Sequence, residues 1–334
     1  MKKPPTVSVL IPCFNEAAFI EGVLRDIEAQ NYPEDLLDVW VIDGGSTDGT
    51  REKVTTFSTR LPRIHLLDNP DRFVPHAMNL GIRASKGAII VRMDAHAAYP
   101  SDYVEKLVSG LLEIGADNVG GIWVTAPRND SPKARAIAAV LTHPFGVGNA
   151  LFRIGIDRPT EADTVPFGCY PRYVFEKYGY YDERLHRNQD IELNKRIRAA
   201  GGKIYLLPDV HCTYYARSTF GALWKNNFQN GLWVIRTAYF TGQLSSLSLR
   251  HFAPLAFILY LLAALILSIR GLWMVWIPFL IYFILTGIAG IGIAIRQRSF
   301  PLLPLTRIAF WVLHSSYGLG SIKGLFELLQ KRRN

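Results

Sequence analysis

The run Val39-Trp40-Val41-Ile42-Asp43-Gly44-Gly45-Ser46-Thr47-Asp48-Gly49-Thr50 joins an apolar β-rich segment to an acidic, glycine-rich turn and then to a helix start. Val39–Ile42 reads as a buried strand. The glycines permit a tight turn with positive φ, and Ser46, Thr47 or Asp48 can cap the helix that follows over Thr50–Thr59. Asp43 stands apart. A carboxylate at the carboxyl end of a buried strand is costly without a partner, and a nucleobase N–H is one such partner.

The same grammar repeats on either side. Val7–Ile11, Ile64–Leu67 and Ala88–Met93 read as further buried strands, and Ala17–Gln30, Pro75–Ala84 and Asp102–Ile114 carry helical pattern. This alternation predicts an α/β domain with a mainly parallel central sheet covered on both faces. Ligands of such sheets sit at the carboxyl ends of the strands. Pro12-Cys13-Phe14-Asn15-Glu16 follows the first strand, and Arg92-Met93-Asp94-Ala95-His96 closes the fourth. Side chains two apart in an extended or turn segment can enter one site. Asp94 and His96 can therefore hold a divalent cation, directly or through water, with imidazole favouring Mn²⁺ over Mg²⁺. Further on, Asn188-Gln189-Asp190-Ile191-Glu192-Leu193 opens a helix over Ile191–Ala199 that ends at Gly201-Gly202. Asp190 reads as its N-cap or as a general base taking a proton from a hydroxyl, and both can hold. His211 reads as a structural histidine or as a further metal or diphosphate contact.

Composition then shifts. Phe252–Ile269 and Leu272–Ile295 are uncharged apolar runs separated by Arg270-Gly271, each about long enough to cross a ~30 Å hydrocarbon core. Phe300–Leu319 is a third apolar stretch, interrupted by Pro301, Pro304, Arg307 and His314. Thr219–Tyr239 mixes Trp224, Phe228, Trp233 and Tyr239 with Lys225 and Arg236, which suits a helix in the headgroup layer. The expected organisation is a catalytic domain over 1–215, amphipathic interfacial helices over 216–250 and a membrane domain over 251–334. The spans are 252–269 and 272–295, and segment 300–320 is expected to be re-entrant or interfacial.

The 334 residues are 49% hydrophobic with a positive mean hydropathy (+0.12), which excludes a disordered chain. A net charge of +9 admits nucleic acid, anionic lipid or a diphosphate as partner. The basic residues flank the apolar segments, including Lys331, Arg332 and Arg333, and no zinc-finger, RNA-binding or basic-heptad pattern appears. Membrane and phosphate fit; nucleic acid does not. Cys13, Cys169 and Cys212 show no CxxC spacing and read as reduced, buried thiols. Before Asn15 the only apolar run is Val7–Ile11, shorter than the roughly 7–15 residues of a secretory signal, so the front end is expected in the cytosol. With the first span running outward and the second returning, Arg296 and Arg298 face the cytosol, as does the C-terminus.

Taken in order, strand-Pro-x-Phe-Asn-Glu, strand-Asp-Gly-Gly-Ser-Thr-Asp-Gly-Thr, Arg-Met-Asp-Ala-His and the Gln-Asp-x-Glu-Leu helix resemble glycosyltransferase family 2, with its nucleotide-sugar-binding GT-A fold. The stretch from Pro70 to Pro100 is similar to the succinoglycan-type enzymes that extend lipid-linked oligosaccharides in exopolysaccharide synthesis. The resemblance covers about residues 6–240. It implies a nucleotide pocket formed by Pro12, Asn15, Glu16, Asp43, Gly45, Ser46 and Asp94, with Asp43 on the base, most often uracil. Asp94 and His96 stand where the family has Asp-x-Asp and would hold Mn²⁺ or Mg²⁺, with His211 as a weaker candidate. Asp190 falls on the catalytic base. Gly168 and Cys169 of Val165–Tyr170, with Glu192, Gln229 and Trp233, fall on the acceptor site. The implied reaction is an inverting transfer from a nucleotide-diphosphate sugar to a polyprenyl-diphosphate-linked saccharide at the cytosolic face of a membrane.

Three departures shape this expectation. His96 replaces the usual second Asp, and Gln189 stands where Glu is common. Gln229-Asn230-Gly231-Leu232-Trp233 lacks the Arg of the processive members, which points to addition of a single sugar. Two rivals are a sugar nucleotidyltransferase and a non-catalytic nucleotide-sugar-binding membrane protein. The first calls for a glycine-rich basic phosphate loop that Pro12–Glu16 does not supply. The second has no use for Asp190 beside the metal pair.

Overall fold

The computed structural model describes residues 3–242 and 249–331. Arg332 and Arg333 of the basic C-terminal cluster, and 243–248 of the expected interfacial segment, lie outside the described residues.

The chain runs β1 (Val7–Cys13), α1 (Ile20–Glu28), β2 (Leu37–Asp43), α2 (Thr50–Arg60), β3 (Ile64–Asp68), α3 (Val74–Ala84), β4 (Ile89–Arg92), β5 (Ala97–Ala98), α4 (Tyr103–Ile114) and β6 (Asn118–Pro127). Three helices follow: α5 (Pro132–Val140), α6 (Pro144–Val147) and α7 (Leu151–Ile154). Then come β7 (Thr160–Glu161), β8 (Cys169–Pro171), α8 (Tyr173–Tyr178), α9 (Gln189–Ala199) and β9 (Ile204–Ala216). The long elements after these are α10 (Phe220–Thr241), α11 (Ala253–Ile269), α12 (Ile277–Arg296) and α13 (Leu302–Lys331). Two compact units result: Met1–Val124 with Gly155–Tyr214, and Thr125–Ile154 with Tyr215–Asn334. The expected 1–215 domain included Thr125–Ile154, which groups with the second unit.

In the first unit the strand order is β3-β2-β1-β4-β8-β6-β9-β5, with β7 on β9. β1 is central, and Val7, Val9, Leu10 and Ile11 are fully buried, as a strand covered on both faces requires. Helix α1 meets the core through Ile20, Val23, Leu24 and Ile27, one face at 3.6-residue spacing. Each such side chain, fully buried, contributes roughly 1.5–3 kcal/mol. Helix α4 does the same through Tyr103, Val104, Leu107, Val108 and Leu111.

The expected mainly parallel sheet is only half right. β1 pairs parallel with β2 and β4, and β2 pairs parallel with β3. From β4 onward the sheet reverses: β8 pairs antiparallel with β4 and β6, and β9 pairs antiparallel with β5 and β7. The sheet is mixed. The reason is local, because the regular strand–helix alternation stops after α4: three helices separate β6 from β7, and β8 follows β7 with no helix between them. Phe167 and Gly168, both at positive φ (63° and 89°), turn the chain into β8.

In the second unit, Ile137 and Val140 of α5 pack with Phe310 and Leu313 of α13 and Leu223 of α10. Helices α10 and α13 touch by backbone: a Cβ added at Gly231 would land on the carbonyl oxygen of Tyr317, and one at Gly320 on that of Phe228. Gly318 meets the carbonyl of Pro254 on α11 in the same way. Of the two runs read as spans, Trp273–Arg296 is a 24-residue stretch long and apolar enough to cross a membrane. Helix α11 has 17 residues, about 26 Å at 1.5 Å per residue, somewhat short of a ~30 Å core. Leu265, Ile266, Leu280 and Ile288 on these two helices are more than half exposed. The third segment is one unbroken 30-residue helix, α13. Pro301 precedes it and Pro304 lies in its first turn, where a missing N–H breaks no helical bond. Arg307 turns to α12, donating from Nη2 to the carbonyl of Phe283 at 3.0 Å and stacking 3.7 Å above its ring.

Candidate active site

The loops after β1 and β2 are stitched together at the carboxyl edge of the sheet. The backbone N–H of Asn15 donates to Ser46 Oγ (2.8 Å), that of Glu16 to Thr50 Oγ1 (2.9 Å) and that of Ala17 to Asp48 Oδ2 (3.0 Å). In return Thr47 N–H donates to Asn15 Oδ1 at 3.0 Å. Asn15 adopts a left-handed φ of 55° to make these contacts, a conformation Asn tolerates better than most residues. Gly49 opens α2, and Asp48 supplies the capping chemistry by accepting from Thr50 N–H at 3.1 Å. Gly44 sits in a tight place, since an added Cβ would lie 3.3 Å from both Arg72 Cα and Phe14 Cβ.

Asp43 has its partners within the protein. Its side chain is fully buried and accepts from Gly45 N–H (3.1 Å), Ser46 N–H (3.0 Å), the Ser46 hydroxyl and Arg51 Nη1 (2.8 Å). Burial alone pushes its pKa up, but the Ser46 donors and the Arg51 guanidinium overcome this and hold it below the ordinary carboxylate range. Cys13 faces the same carboxylate at 3.6 Å, and burial and that charge push its thiol pKa far up.

Beside these loops lies a cleft of about 170 Å³, lined among others by Phe14, Glu16, Asn69, Arg72, Asp94 and His96. It is smaller than the roughly 300–1,000 Å³ of a pocket enclosing a drug-sized ligand. Asp94 N–H donates to the Tyr99 hydroxyl at 2.7 Å, which fixes the turn after β4. Arg92, buried at 8% exposure, donates from Nε (3.1 Å) and Nη2 (2.9 Å) to the same oxygen, Asp94 Oδ1. His96 Nδ1 stands 3.1 Å from Glu16 Oε1. Asn69 is buried with its Oδ1 unpaired.

Asp190 sits in the first turn of α9, not at its cap: the helix begins at Gln189, and the cap position is Asn188, in the left-handed region. Burial raises the Asp190 pKa, Arg92 opposes the rise, and the negative charge of Asp94 adds to it. Arg92 feels both carboxylates. Donor-side and base-side candidates are thus electrostatically linked through one guanidinium.

Other expected site residues are placed elsewhere. His211 is exposed on β9, within electrostatic reach of Asp102, and does not line the cleft. Cys169 is fully buried in the sheet, where its N–H donates to Asn118 Oδ1, so its side chain is core and not an acceptor contact. Gly168 serves the turn: its carbonyl accepts from Arg92 N–H (3.0 Å), and a Cβ there would collide with the Tyr170 ring. Glu192 commits both oxygens to Arg196 (2.7 and 2.8 Å), which in turn holds the carbonyls of Tyr178 and Tyr180. It anchors a loop. Gln229 and Trp233 lie on α10 in the second unit, with Trp233 buried and Arg236 4.8 Å above its ring. Pro12 and Glu16 line the cleft, whereas Gly45 and Ser46 serve the Asp43 turn.

Arg51, Arg72, Arg92 and Asn69 are the residues sequence reasoning missed. For Arg92 the available signal is an arginine two residues before an aspartate, at the end of a buried strand.

Among the described residues no three His, Cys, Asp or Glu side chains group to hold a metal ion. Asp94 and His96 nevertheless fit a hard divalent cation whose other ligands come from phosphate oxygens and water, the usual arrangement for ions bound with a nucleotide. Asp94 Oδ2 accepts no hydrogen bond among the described residues and is available for this.

Residues 8–179 match the model of Glycosyl transferase family 2. Succinoglycan biosynthesis protein ExoA of Rhizobium meliloti is 32% identical over 97% of this chain and 96% of its own length. Glycosyltransferase AglE of Haloferax volcanii is 31% identical over 75% of this chain and 79% of its own. The dolichyl N-acetyl-alpha-D-glucosaminyl phosphate 3-beta-D-2,3-diacetamido-2,3-dideoxy-beta-D-glucuronosyltransferase of Methanococcus voltae is 25% identical over 96% and 97%. Among solved structures, mannosyltransferase PcManGT from Pyrobaculum calidifontis, in complex with GDP-Man and Mn²⁺, superposes with a TM-score of 0.66. That match covers 98% of this chain and 88% of that one at 22% identity, which establishes the shared fold. The family model and the near-full-length relative agree: the chain belongs to glycosyltransferase family 2, and it is a glycosyltransferase of GT-A fold.

Proposed function

We propose that the protein transfers one sugar, with inversion, from a nucleotide-diphosphate sugar to a polyprenyl-diphosphate-linked saccharide during exopolysaccharide or cell-surface glycan synthesis. The observation that carries this reading is the linkage of Asp94 and Asp190 through the buried Arg92 beside the cleft. The relatives named for succinoglycan biosynthesis and for a dolichyl-phosphate-linked acceptor support the acceptor class. The mannosyltransferase solved with GDP-Man and Mn²⁺ supports donor class and metal.

In this reading Asp94 and His96 would hold Mn²⁺ or Mg²⁺. The chemistry such an ion would supply there is neutralisation of the diphosphate as leaving group. The loops around Asp43 and Asn15 support the nucleoside. Asp190 accepts the proton of the acceptor hydroxyl at a carboxylate oxygen as that hydroxyl oxygen bonds to the anomeric carbon. The carbon–phosphate oxygen bond breaks on the opposite face, so the anomeric centre inverts. A carboxylate with a raised pKa is better matched to proton acceptance near neutral pH than an ordinary one, and such help is worth about 10²–10⁴-fold in rate. The exposed apolar faces of α11 and α12 are read as lipid-facing, with two spans, a cytosolic catalytic unit and a cytosolic C-terminus. A phosphatase reporter fused after Asn334 should be inactive; activity there would refute this topology.

The direct test is incubation of membranes carrying the protein with UDP- and GDP-sugars and a polyprenyl-linked acceptor. Nucleoside diphosphate release coupled to acceptor extension is expected. Pyrophosphate release would identify a nucleotidyltransferase, and binding without release a non-catalytic protein.

A further inference from the structure

Arg92 already holds one oxygen of the carboxylate read above as a metal ligand. Its Nε and Nη2 both close on Asp94 Oδ1, at 3.1 and 2.9 Å. A charge-assisted contact of this kind is among the stronger hydrogen bonds. Arg92 is also held in place at its backbone. Its side chain is buried, and its backbone is clamped in the sheet, paired with Leu10 of β1 and donating to Gly168 O at 3.0 Å. Removing one partner of a buried ion pair is costly, because it strands the other charge. Arg92 has a second carboxylate within reach of its field, Asp190, and so need not be stranded when Asp94 is engaged by something else. The carboxylate that would receive an incoming ion is already shared with Arg92, and Glu16, another carboxylate lining the cleft, stands 3.1 Å from His96 Nδ1.

We propose that Arg92 is a resident competitor for the divalent cation at Asp94, a positioning residue that keeps the donor-free cleft from taking up the ion by itself. The ion then binds well only with a nucleoside diphosphate, whose phosphate oxygens would supply the remaining ligands. This rests on the reading of Asp94 as a metal ligand given above.

The test is Mn²⁺ binding, followed by electron paramagnetic resonance on the full chain purified in detergent, without nucleotide and with UDP or GDP. Wild type is expected to bind Mn²⁺ weakly alone and much more tightly with one of the nucleotides. Arg92→Met should gain roughly ten- to hundredfold in nucleotide-free Mn²⁺ affinity, the equivalent of one charge-assisted hydrogen bond. The gain should vanish in Arg92→Met/Asp94→Asn, and Arg92→Lys, which keeps a competing charge, should stay weak. Arg92→Gln replaces the Met variant if thermal unfolding shows the latter is not folded. Arg72→Met removes a different cation lining the cleft and should give no comparable gain. Unchanged or weaker Mn²⁺ binding in a folded Arg92→Met or Arg92→Gln, with nucleotide-dependent binding intact, overturns the competition. An equal gain in Arg72→Met overturns it too, since the effect would be a general field. If neither nucleotide promotes Mn²⁺ binding in wild type and Asp94→Asn changes nothing, the metal reading itself fails, and this inference with it.

Discussion

Asp43→Asn is the perturbation for which the structure gives the most definite expectation. Every group facing the Asp43 carboxyl is a donor: two backbone N–H groups, the Ser46 hydroxyl, the Arg51 guanidinium and the Cys13 thiol. Only an acceptor-only group satisfies such a shell, and an amide must turn its NH₂ toward at least one donor. The hydroxyl and thiol on the Oδ1 side can rotate away, so the amide oxygen keeps the N–H side and the loss is mainly that of charge. A hydrogen bond to a charged group is worth about 1.5–3 kcal/mol against about 1 for a neutral one. The Arg51 pair adds less than about 1 kcal/mol, because Arg51 is 35% exposed and keeps Asp68 at 2.7 Å. The total is about 2–3 kcal/mol, or about 4–12 °C in Tm for a unit of this size.

The pH dependence carries a sign. The folded pKa of Asp43 is lowered, so its contribution is complete above the unfolded value of about 3.9 and is lost as pH falls through the folded value. Differential scanning fluorimetry should therefore show a constant gap between wild type and variant from pH 7 down to about 5, narrowing below about 4. Adding Arg51→Met to the variant should cost less than it costs wild type. A Tm loss under about 2 °C, or a gap that does not narrow in acid, would refute the view that the Asp43 charge organises both loops.

Asp190→Asn should cut transfer by about 10² or more while donor affinity stays within a few-fold, measured by nucleoside diphosphate release and titration with donor. Because burial raises the Asp190 pKa, its charge costs stability as pH rises through that value. The Asn variant should thus melt no lower than wild type at pH 7, and wild-type transfer should fail in acid at a higher pH than an ordinary carboxylate would give. Asp94→Ala and His96→Ala should each weaken metal-dependent donor binding, with Mn²⁺ at least as effective as Mg²⁺, and His96→Asp should shift preference toward Mg²⁺; full activity in excess chelator would refute the assignment. Gly231→Val should destabilise the second unit strongly, since its side chain has no space beside the Tyr317 carbonyl; a wild-type unfolding profile would show that α10 and α13 are not in backbone contact.

The parallel half of the sheet was legible because each strand there is an uninterrupted apolar run followed by an acidic or glycine-rich turn, as at Val39–Asp43. The antiparallel half was not. β8 has three residues and its pairing depends on Phe167 and Gly168 reversing the chain, a conformation no periodicity announces. Among site residues, Asp43, Asp94, His96 and Asp190 stood out because carboxylate or imidazole after a strand or at a helix start has few inexpensive explanations. Cys169 and Glu192 were misplaced for the opposite reason. Their motif position is near the site, yet one side chain points into the core and the other is taken by Arg196, and side-chain direction is fixed by register and by a partner four residues on. Arg92 escaped notice because basic residues at strand ends are common, and only its burial makes it exceptional.

Where two helices meet through side chains, rotamers act as slack, and one helix can slide a fraction of a turn without moving the other. At Gly231, Gly320 and Gly324 there is no such slack between α10 and α13: backbone lies against backbone, and the Arg236–Glu327 pair at 2.7 Å pins the same edge. The two helices behave mechanically as one plank. A displacement of α13 therefore carries the backbone of α10 with it, so the residues of α10, Gln229 included, move as α13 moves and not as independent side chains.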